Sequence, residues 1–240
     1  MFREKKGIDL RTGHSVKEID RSSKKVKGTN SAGEPFEIAY DRLLIATGAS
    51  PVKPDLPGFD APGVMALKSL GDGRRIKGFI EKASVRKVII IGTGYIALEM
   101  CEAMVLRGIR VEMVKPRPTL LPWMNGNLAE VIKEEIESHG VLIHPGKETQ
   151  SITRDQDNLK VVCKYLVLEG QMVLVAVGVK PNREMADRAG LELGPGGSIA
   201  VALHQMTVEA FSPCDLAYAP PFSPVWDPML TAANQLIKRM

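Results

Sequence analysis

The chain has 240 residues, 44% hydrophobic and 25% charged, a globular composition that excludes wholesale disorder and collagen-like structure. At roughly 150 residues per domain, that length predicts one large domain or two small ones. The net charge is +4, yet residues 1–28 alone hold nine Lys/Arg against four Asp/Glu, so the basic surplus is local; aromatics at only 5% argue against binding of single-stranded nucleic acid by base stacking.

A basic start can serve as a nucleic-acid arm. Here Ile8, Leu10, Val16, Ile19 and Val26 are interleaved with the charges, which favours the solvated face of a small antiparallel sheet. No nucleic-acid partner is expected. Ile8–Arg11 and Val16–Ile19 read as short alternating strands, Asn30–Gly33 as a turn, and Phe36–Ile38 as a third strand. Arg42-Leu43-Leu44-Ile45-Ala46-Thr47-Gly48 is a continuous apolar run closing on glycine, the pattern of a strand buried on both faces. The proline-rich segment from Ala49 to Gly63 follows as an irregular connector and the expected domain boundary.

From Arg86 the pattern becomes strand–helix–strand. Val88–Ile91 is the first strand, Ile96–Arg107 a helix stopped by Gly108, and Ile109–Val114 the second strand. Asn127–His139 carries Leu128, Val131, Ile132 and Ile136 at helical spacing, and Val141–Ile143 is a third strand. Two short strands are expected in residues 150–163, and Met172–Val177 as a buried strand ending at Gly178. The longest apolar stretch, Leu166–Val179, is broken by Glu169 and Gln171, so no membrane span and no membrane partner are expected. Cys101, Cys163 and Cys214 form no CxxC pair and no metal spacing; an odd count with no leader sequence predicts a reducing, cytoplasmic setting.

One motif carries chemistry. Gly92-Thr93-Gly94-Tyr95-Ile96-Ala97 fits G-x-G-x-x-G/A directly after a β-branched strand and at the opening of a helix. The first glycine permits the tight turn, the second lets backbone approach a pyrophosphate, and a small third residue lets helix and strand pack closely. The first N–H groups of the helix then favour the anionic pyrophosphate. At the end of the second strand an acid would receive the ribose of NAD, and a base the 2′-phosphate of NADP. Glu112 is mid-strand; Lys115 stands at the strand end, followed by Arg117. Both are expected to contact that phosphate, so that NADPH is accepted at least as well as NADH; the alternative is two ordinary surface cations.

Three segments, Tyr40–Pro51, Ile91–Glu99 and Val175–Asn182, occur in the order and spacing of the pyridine nucleotide-disulfide oxidoreductases, which the chain resembles. The tail Leu216–Ser223 narrows the resemblance to the branch holding coenzyme A-disulfide reductases, NADH oxidases and polysulfide reductases. The resemblance implies an FAD-dependent oxidoreductase that passes hydride from NAD(P)H through flavin to a disulfide, CoA-disulfide, polysulfide or oxygen acceptor. It sets Ala46, Thr47 and Gly48 against FAD. Gly92, Gly94, Tyr95 and Ile96, with Ala97, would cradle the nicotinamide nucleotide, and Glu99 and Gly178 would lie near its nicotinamide end. Tyr218, in a tail that reaches across a homodimer, becomes the candidate catalytic hydroxyl. Trp226 before Asp227-Pro228 is either a change in substrate preference or a packing residue.

The chain departs from that pattern twice. Nothing before Ile8 resembles the family's flavin glycine loop or its redox cysteine; Cys101 and Cys163 read as core thiols. After Val201 the sequence passes directly to residues resembling the far end of the family. The expected architecture is therefore α/β: residues 1–60 a remnant of a flavin-binding domain, 61–182 a three-layer Rossmann-like nicotinamide-nucleotide domain, 183–201 a return to the flavin domain, and 202–240 the tail of a dimerisation domain. The alternative is an isolated nucleotide-binding module without redox activity.

Overall fold

Alternating and continuous apolar runs divide this chain between two kinds of sheet. The computed structural model describes residues 7–121 and 126–200, in two compact units. One unit runs from Ala46 to Asn182; the other comprises the described residues up to Ile45 and from Arg183 onward.

In the latter unit β1 (Ser15–Asp20), β2 (Lys25–Thr29) and β3 (Pro35–Ala39) form an antiparallel meander in the order β1-β2-β3. Val26 and Gly28 on β2 are buried while Lys25 and Lys27 alternate with them at half-buried positions, and β3 alternates half-buried with exposed positions. Lys27 pairs with Glu18 and Asp20, and Lys25 with Glu37. Lys25 and Lys27 thus alternate with buried positions of this sheet, with Ile19 and Val26 in its core, whereas Ile8, Leu10 and Val16 are exposed. The Asn30 side chain accepts from the Ala32 and Glu34 amides and closes the expected turn. Ile8–Arg11 forms no strand and is exposed, contrary to expectation, because no described strand offers it a ladder.

The Ala46–Asn182 unit opens with β4 (Ala49–Pro51), followed by β5 (Val64–Met65), α1 (Leu70–Lys82), β6 (Lys87–Ile91), α2 (Tyr95–Val105), β7 (Arg110–Val114), α3 (Gly126–Ser138) and β8 (Leu142–His144). An antiparallel meander β9 (Thr149–Asp155), β10 (Asn158–Cys163), β11 (Leu166–Gly170) precedes β12 (Met172–Val175) and β13 (Val179–Pro181). The central sheet has the order β5-β12-β6-β7-β8 and is parallel throughout. Val88, Ile89 and Ile90 are fully buried, as a strand covered on both faces requires.

Three layers result. On one face Val88, Ile90, Val111 and Met113 pack with Ile76 of α1 and Ala97, Cys101 and Met104 of α2. On the other, Ile89, Ile91 and Val114 pack against Leu159, Val161 and Leu168 of the β9–β11 meander. The Rossmann-like expectation holds, with a small antiparallel sheet as the third layer. Sequence periodicity left Val64–Val85 unassigned; α1 was nevertheless signalled by Ser69-x-x-Asp72, a capping box in which Ser69 Oγ accepts from the Asp72 amide and Asp72 accepts from the Ser69 amide.

Two expectations are corrected here. Arg42–Gly48 is not a buried strand: Leu44 is 88% exposed and regular pairing begins only at Ala49. A parallel-type apolar run becomes a strand only with neighbours on both sides, and no described strand pairs with this one. The unit boundary also lies at Ala46, not near residue 60. The proline-rich connector is part of the unit because Phe59 is sunk in its core and the Pro57 carbonyl accepts from the Ile152 amide at 2.8 Å. The short helix α4 (Glu184–Arg188) lies beyond Asn182 in the other unit.

Candidate functional site

The chain leaves β6 outward through β7 to β8, then returns to β12 on the opposite side of β6. This reversal is a topological switch point, where parallel sheets leave a crevice beyond the carboxyl ends of the strands. The segment Gly92–Tyr95 joins β6 to α2 at that place.

Each small residue of the motif has a distinct geometric reason. Gly92 has φ +117°, and a Cβ there would lie 2.2 Å from the Ala176 carbonyl oxygen. Its amide donates to Val114 O at 2.9 Å, while the Ala176 amide donates to Ile91 O at 2.8 Å. Gly92 thus lets the ends of β6, β7 and β12 meet. Gly94 differs: its φ is −77° and nothing lies within 4 Å of a Cβ placed on it. It is the N-cap of α2 and makes no side-chain cap hydrogen bond. The open space above it and the uncapped helix start together fit an anionic pyrophosphate. Ala97, fully buried, lets α2 lie close on the sheet. Tyr95 and Glu99 stand exposed on the first turns of α2, and Ile96 is half-buried. Gly178, at φ +122°, is exposed with open space around it.

The loop after β7 is tied to the glycine turn. Thr93 Oγ1, in a residue 6% exposed, donates to the Leu120 carbonyl at 3.0 Å. Lys115 Nζ donates to the same carbonyl at 2.7 Å and to the Thr119 carbonyl. Lys115 is only 5% exposed, and burial, with the Arg117 charge second, pushes its ammonium below the ordinary lysine range. Phosphate contact is the role expected of Lys115 from sequence and a free surface cation the alternative; its ammonium is instead buried and bonded to two carbonyls, whereas Arg117 is exposed. Glu112, mid-strand as expected, takes 2.5 Å contact from Lys87 Nζ and a 2.8 Å hydrogen bond from His144 Nε2. These three side chains tie β6, β7 and β8 together below the strand ends.

Ala46, Thr47 and Gly48 lie outside any strand and are exposed. Thr47 Oγ1 donates to Asn182 O at 2.6 Å, Asn182 Nδ2 to Thr47 O at 2.9 Å, and the Asn182 amide to Gly48 O at 3.0 Å. Ser50 Oγ donates to Asn182 Oδ1 at 2.7 Å. These bonds extend the β4–β13 ladder. Asn182 is the structural residue that sequence reasoning missed; its only signal was its place at the end of a quoted motif.

Cys101 and Cys163 are both 4% exposed. Burial, then the Glu102 charge, pushes the Cys101 thiol up to about 11; burial also raises Cys163. They are core thiols with little thiolate at neutral pH. Tyr218, Cys214 and Trp226 lie outside the described residues. Among the described residues, no cluster of His, Cys, Asp and Glu could hold a metal ion, and no helix is long and apolar enough to cross a membrane.

The family model for pyridine nucleotide-disulphide oxidoreductase matches residues 1–210. An NADH oxidase of Methanocaldococcus jannaschii is 32% identical over 194 residues, 80% of this chain and 43% of that protein. A CoA-dependent NAD(P)H sulfur oxidoreductase of Pyrococcus furiosus is 34% identical over 201 residues, 83% of this chain and 44% of that one. The crystal structure of reduced Bacillus anthracis CoADR-RHD aligns with a TM-score of 0.77 at 28% identity, over 82% of this chain and 35% of its own. The chain therefore spans less than half the length of the curated relatives it matches.

Proposed function

The chain belongs to the pyridine nucleotide-disulphide oxidoreductase family, and we propose that it binds NAD(P)H in the service of an FAD-dependent enzyme that delivers hydride to a disulfide, CoA-disulfide, polysulfide or oxygen acceptor. The observation that carries the nucleotide half is the pair of unlike glycines: Gly92 packed hard on Ala176, Gly94 beneath open space at the start of an uncapped helix. The first shapes the turn and the second receives the pyrophosphate. Tyr95, Ile96 and Ala97 line and seat that helix start. Glu99 and Gly178 are proposed for the nicotinamide end, on family pattern and on their exposure beside the switch point.

The flavin half rests on the family. The described residues do not themselves fit FAD: Ala46–Gly48 is exposed and outside a strand, and no second glycine turn joins a described strand to a helix. This chain's own share is to bind and orient the nicotinamide nucleotide. Relatives named for NADH oxidation, CoA-dependent sulfur reduction and coenzyme A disulfide reduction support the acceptor class. The same reading proposes a cytoplasmic homodimer, with Tyr218 in the tail as its substrate-side hydroxyl; buried unpaired thiols at Cys101 and Cys163 support a reducing compartment.

The test is titration of the purified 240-residue chain with NADH and NADPH, together with its visible spectrum. Saturable nucleotide binding without stoichiometric FAD is expected. One tightly held FAD per chain would refute the assignment of the flavin site to residues outside this chain, and absence of nucleotide binding would refute the reading as a whole.

A further inference from the structure

We propose that Lys115 is a positioning residue of the nucleotide site and not a ligand of the nucleotide: it clamps the loop after β7 to the glycine turn, and that loop presents Arg117 to a 2′-phosphate. The proposal rests on the nicotinamide-nucleotide reading above.

Lys115 stands where a strand-end residue would face the ribose, but its side chain turns inward. An ammonium has three donors and no acceptor; two of these donors are spent on the carbonyls of Thr119 and Leu120. The backbone is fixed as well. The Lys115 amide donates to His144 O at 3.3 Å, and the Lys115 carbonyl accepts from the Lys147 amide at 2.9 Å. Swinging the side chain outward would give up both of these hydrogen bonds and leave the part-buried Thr119 carbonyl without its ammonium donor.

The second half of the argument is the shared acceptor. Leu120 O receives Thr93 Oγ1 from the glycine turn and Lys115 Nζ from the end of β7. Leu120 and Leu121 are buried beneath it. One carbonyl therefore joins the pyrophosphate-binding turn to the loop bordering the ribose. Between the clamp's two ends lies Pro116-Arg117-Pro118, in which proline on each side of the arginine restricts backbone travel. Arg117 is exposed at this crest, its carbonyl accepting from the Gly146 amide at 3.3 Å. A guanidinium carried on backbone held in this way suits a phosphate oxyanion as its partner.

The two roles separate experimentally in the full 240-residue chain. Lys115→Met keeps the length and apolar stem and removes the donors. It should weaken NADH by about fivefold through the loosened glycine turn, weaken NADPH further through the loosened Arg117, and speed amide exchange over residues 116–121. Thr93→Val removes the other donor to Leu120 O and should act in the same direction, which preserves the test if Lys115→Met fails to fold. Arg117→Ala should weaken NADPH about tenfold and spare NADH. Loss of NADPH alone in Lys115→Met, with amide exchange over residues 116–121 unchanged, would make Lys115 a direct ligand and overturn the proposal, as would unchanged affinities and exchange. A wild-type chain binding neither coenzyme would instead overturn the nucleotide reading, and the proposal with it.

Discussion

Replacing Gly92 by alanine puts a methyl group 2.2 Å from the Ala176 carbonyl oxygen and 2.8 Å from its carbon, on a backbone at φ +117°. The neighbour is backbone held in the β6–β12 ladder, so it cannot rotate aside. A sparsely allowed backbone conformation costs about 1–3 kcal/mol. Overpacking adds about 1–3 kcal/mol. Taking about 3 kcal/mol in total and a urea slope near 2 kcal/mol per molar, the unfolding midpoint should fall by about 1.5 M. Gly94→Val is the control with the opposite signature. Its φ is −77° and the space around it is open, so stability should fall by only about 1 kcal/mol, the cost of a poor N-cap. Nucleotide affinity should nevertheless drop at least tenfold, about 1.4 kcal/mol. Urea melts and coenzyme titrations of the two variants, side by side, decide the matter. A Gly92→Ala protein within about 0.5 kcal/mol of wild type, or a folded Gly94→Val protein with unchanged affinity, would refute the division of labour between the glycines.

Glu112 gives an acid-limb prediction. Burial pushes its carboxyl up, but hydrogen bonds from Lys87 and His144 pull harder and leave it below the ordinary glutamate value of 4.5. Its contribution to stability is therefore complete above that value and is lost as pH falls through the lower folded one. Glu112→Gln should flatten this limb in pH-dependent melts and cost about 1–3 kcal/mol at neutral pH; an unchanged acid limb would remove the role assigned to Glu112. Tyr165 sits at φ +62° in the two-residue turn between β10 and β11, 88% exposed. Tyr165→Gly should therefore stabilise by about 0.5–1 kcal/mol in the same assay, and a loss of stability would show that the ring contributes more than its backbone strain costs. Cys101 and Cys163 should resist alkylation in the native protein at pH 7 and react on unfolding, which intact mass would report. Rapid native labelling of either would contradict their burial.

The parts of the chain whose burial is decided locally were legible from sequence. Val88–Ile91 with Gly92, Gly94 and Ala97 at its end fixed a strand, a turn and a helix, because a fully apolar run followed by two glycines has few other solutions. β1 and β3 were readable from Val16–Ile19 and Phe36–Ile38, whereas β2 between them was not named. What failed depended on partners distant in sequence. Arg42–Gly48 has the composition of a buried strand but is exposed because no described strand flanks it. Phe59 sits in a segment that reads as a loop, yet it is buried by Ile152, Leu159 and their neighbours about a hundred residues later. At the site, the glycines and Ala97 could be named in advance because their roles follow from size. The inward turn of Lys115 could not, since it depends on where the Thr119 and Leu120 carbonyls come to rest.

The ladder between β4 and β13 has a consequence for how this polypeptide can be taken apart. Residues 46–182 begin and end side by side, with the Asn182 amide 3.0 Å from the Gly48 carbonyl and Val179, Lys180 and Pro181 in register with Pro51, Ser50 and Ala49. A segment whose two ends are already stitched together behaves as a cassette: it can be lifted from one host chain and set into another without stretching either junction. The stitch travels with it, because Thr47, Ser50 and Asn182 all lie inside the cut points. Transplantation, or permutation that joins the two ends through a short linker, should therefore preserve the parallel sheet and its glycine turn as a self-contained part.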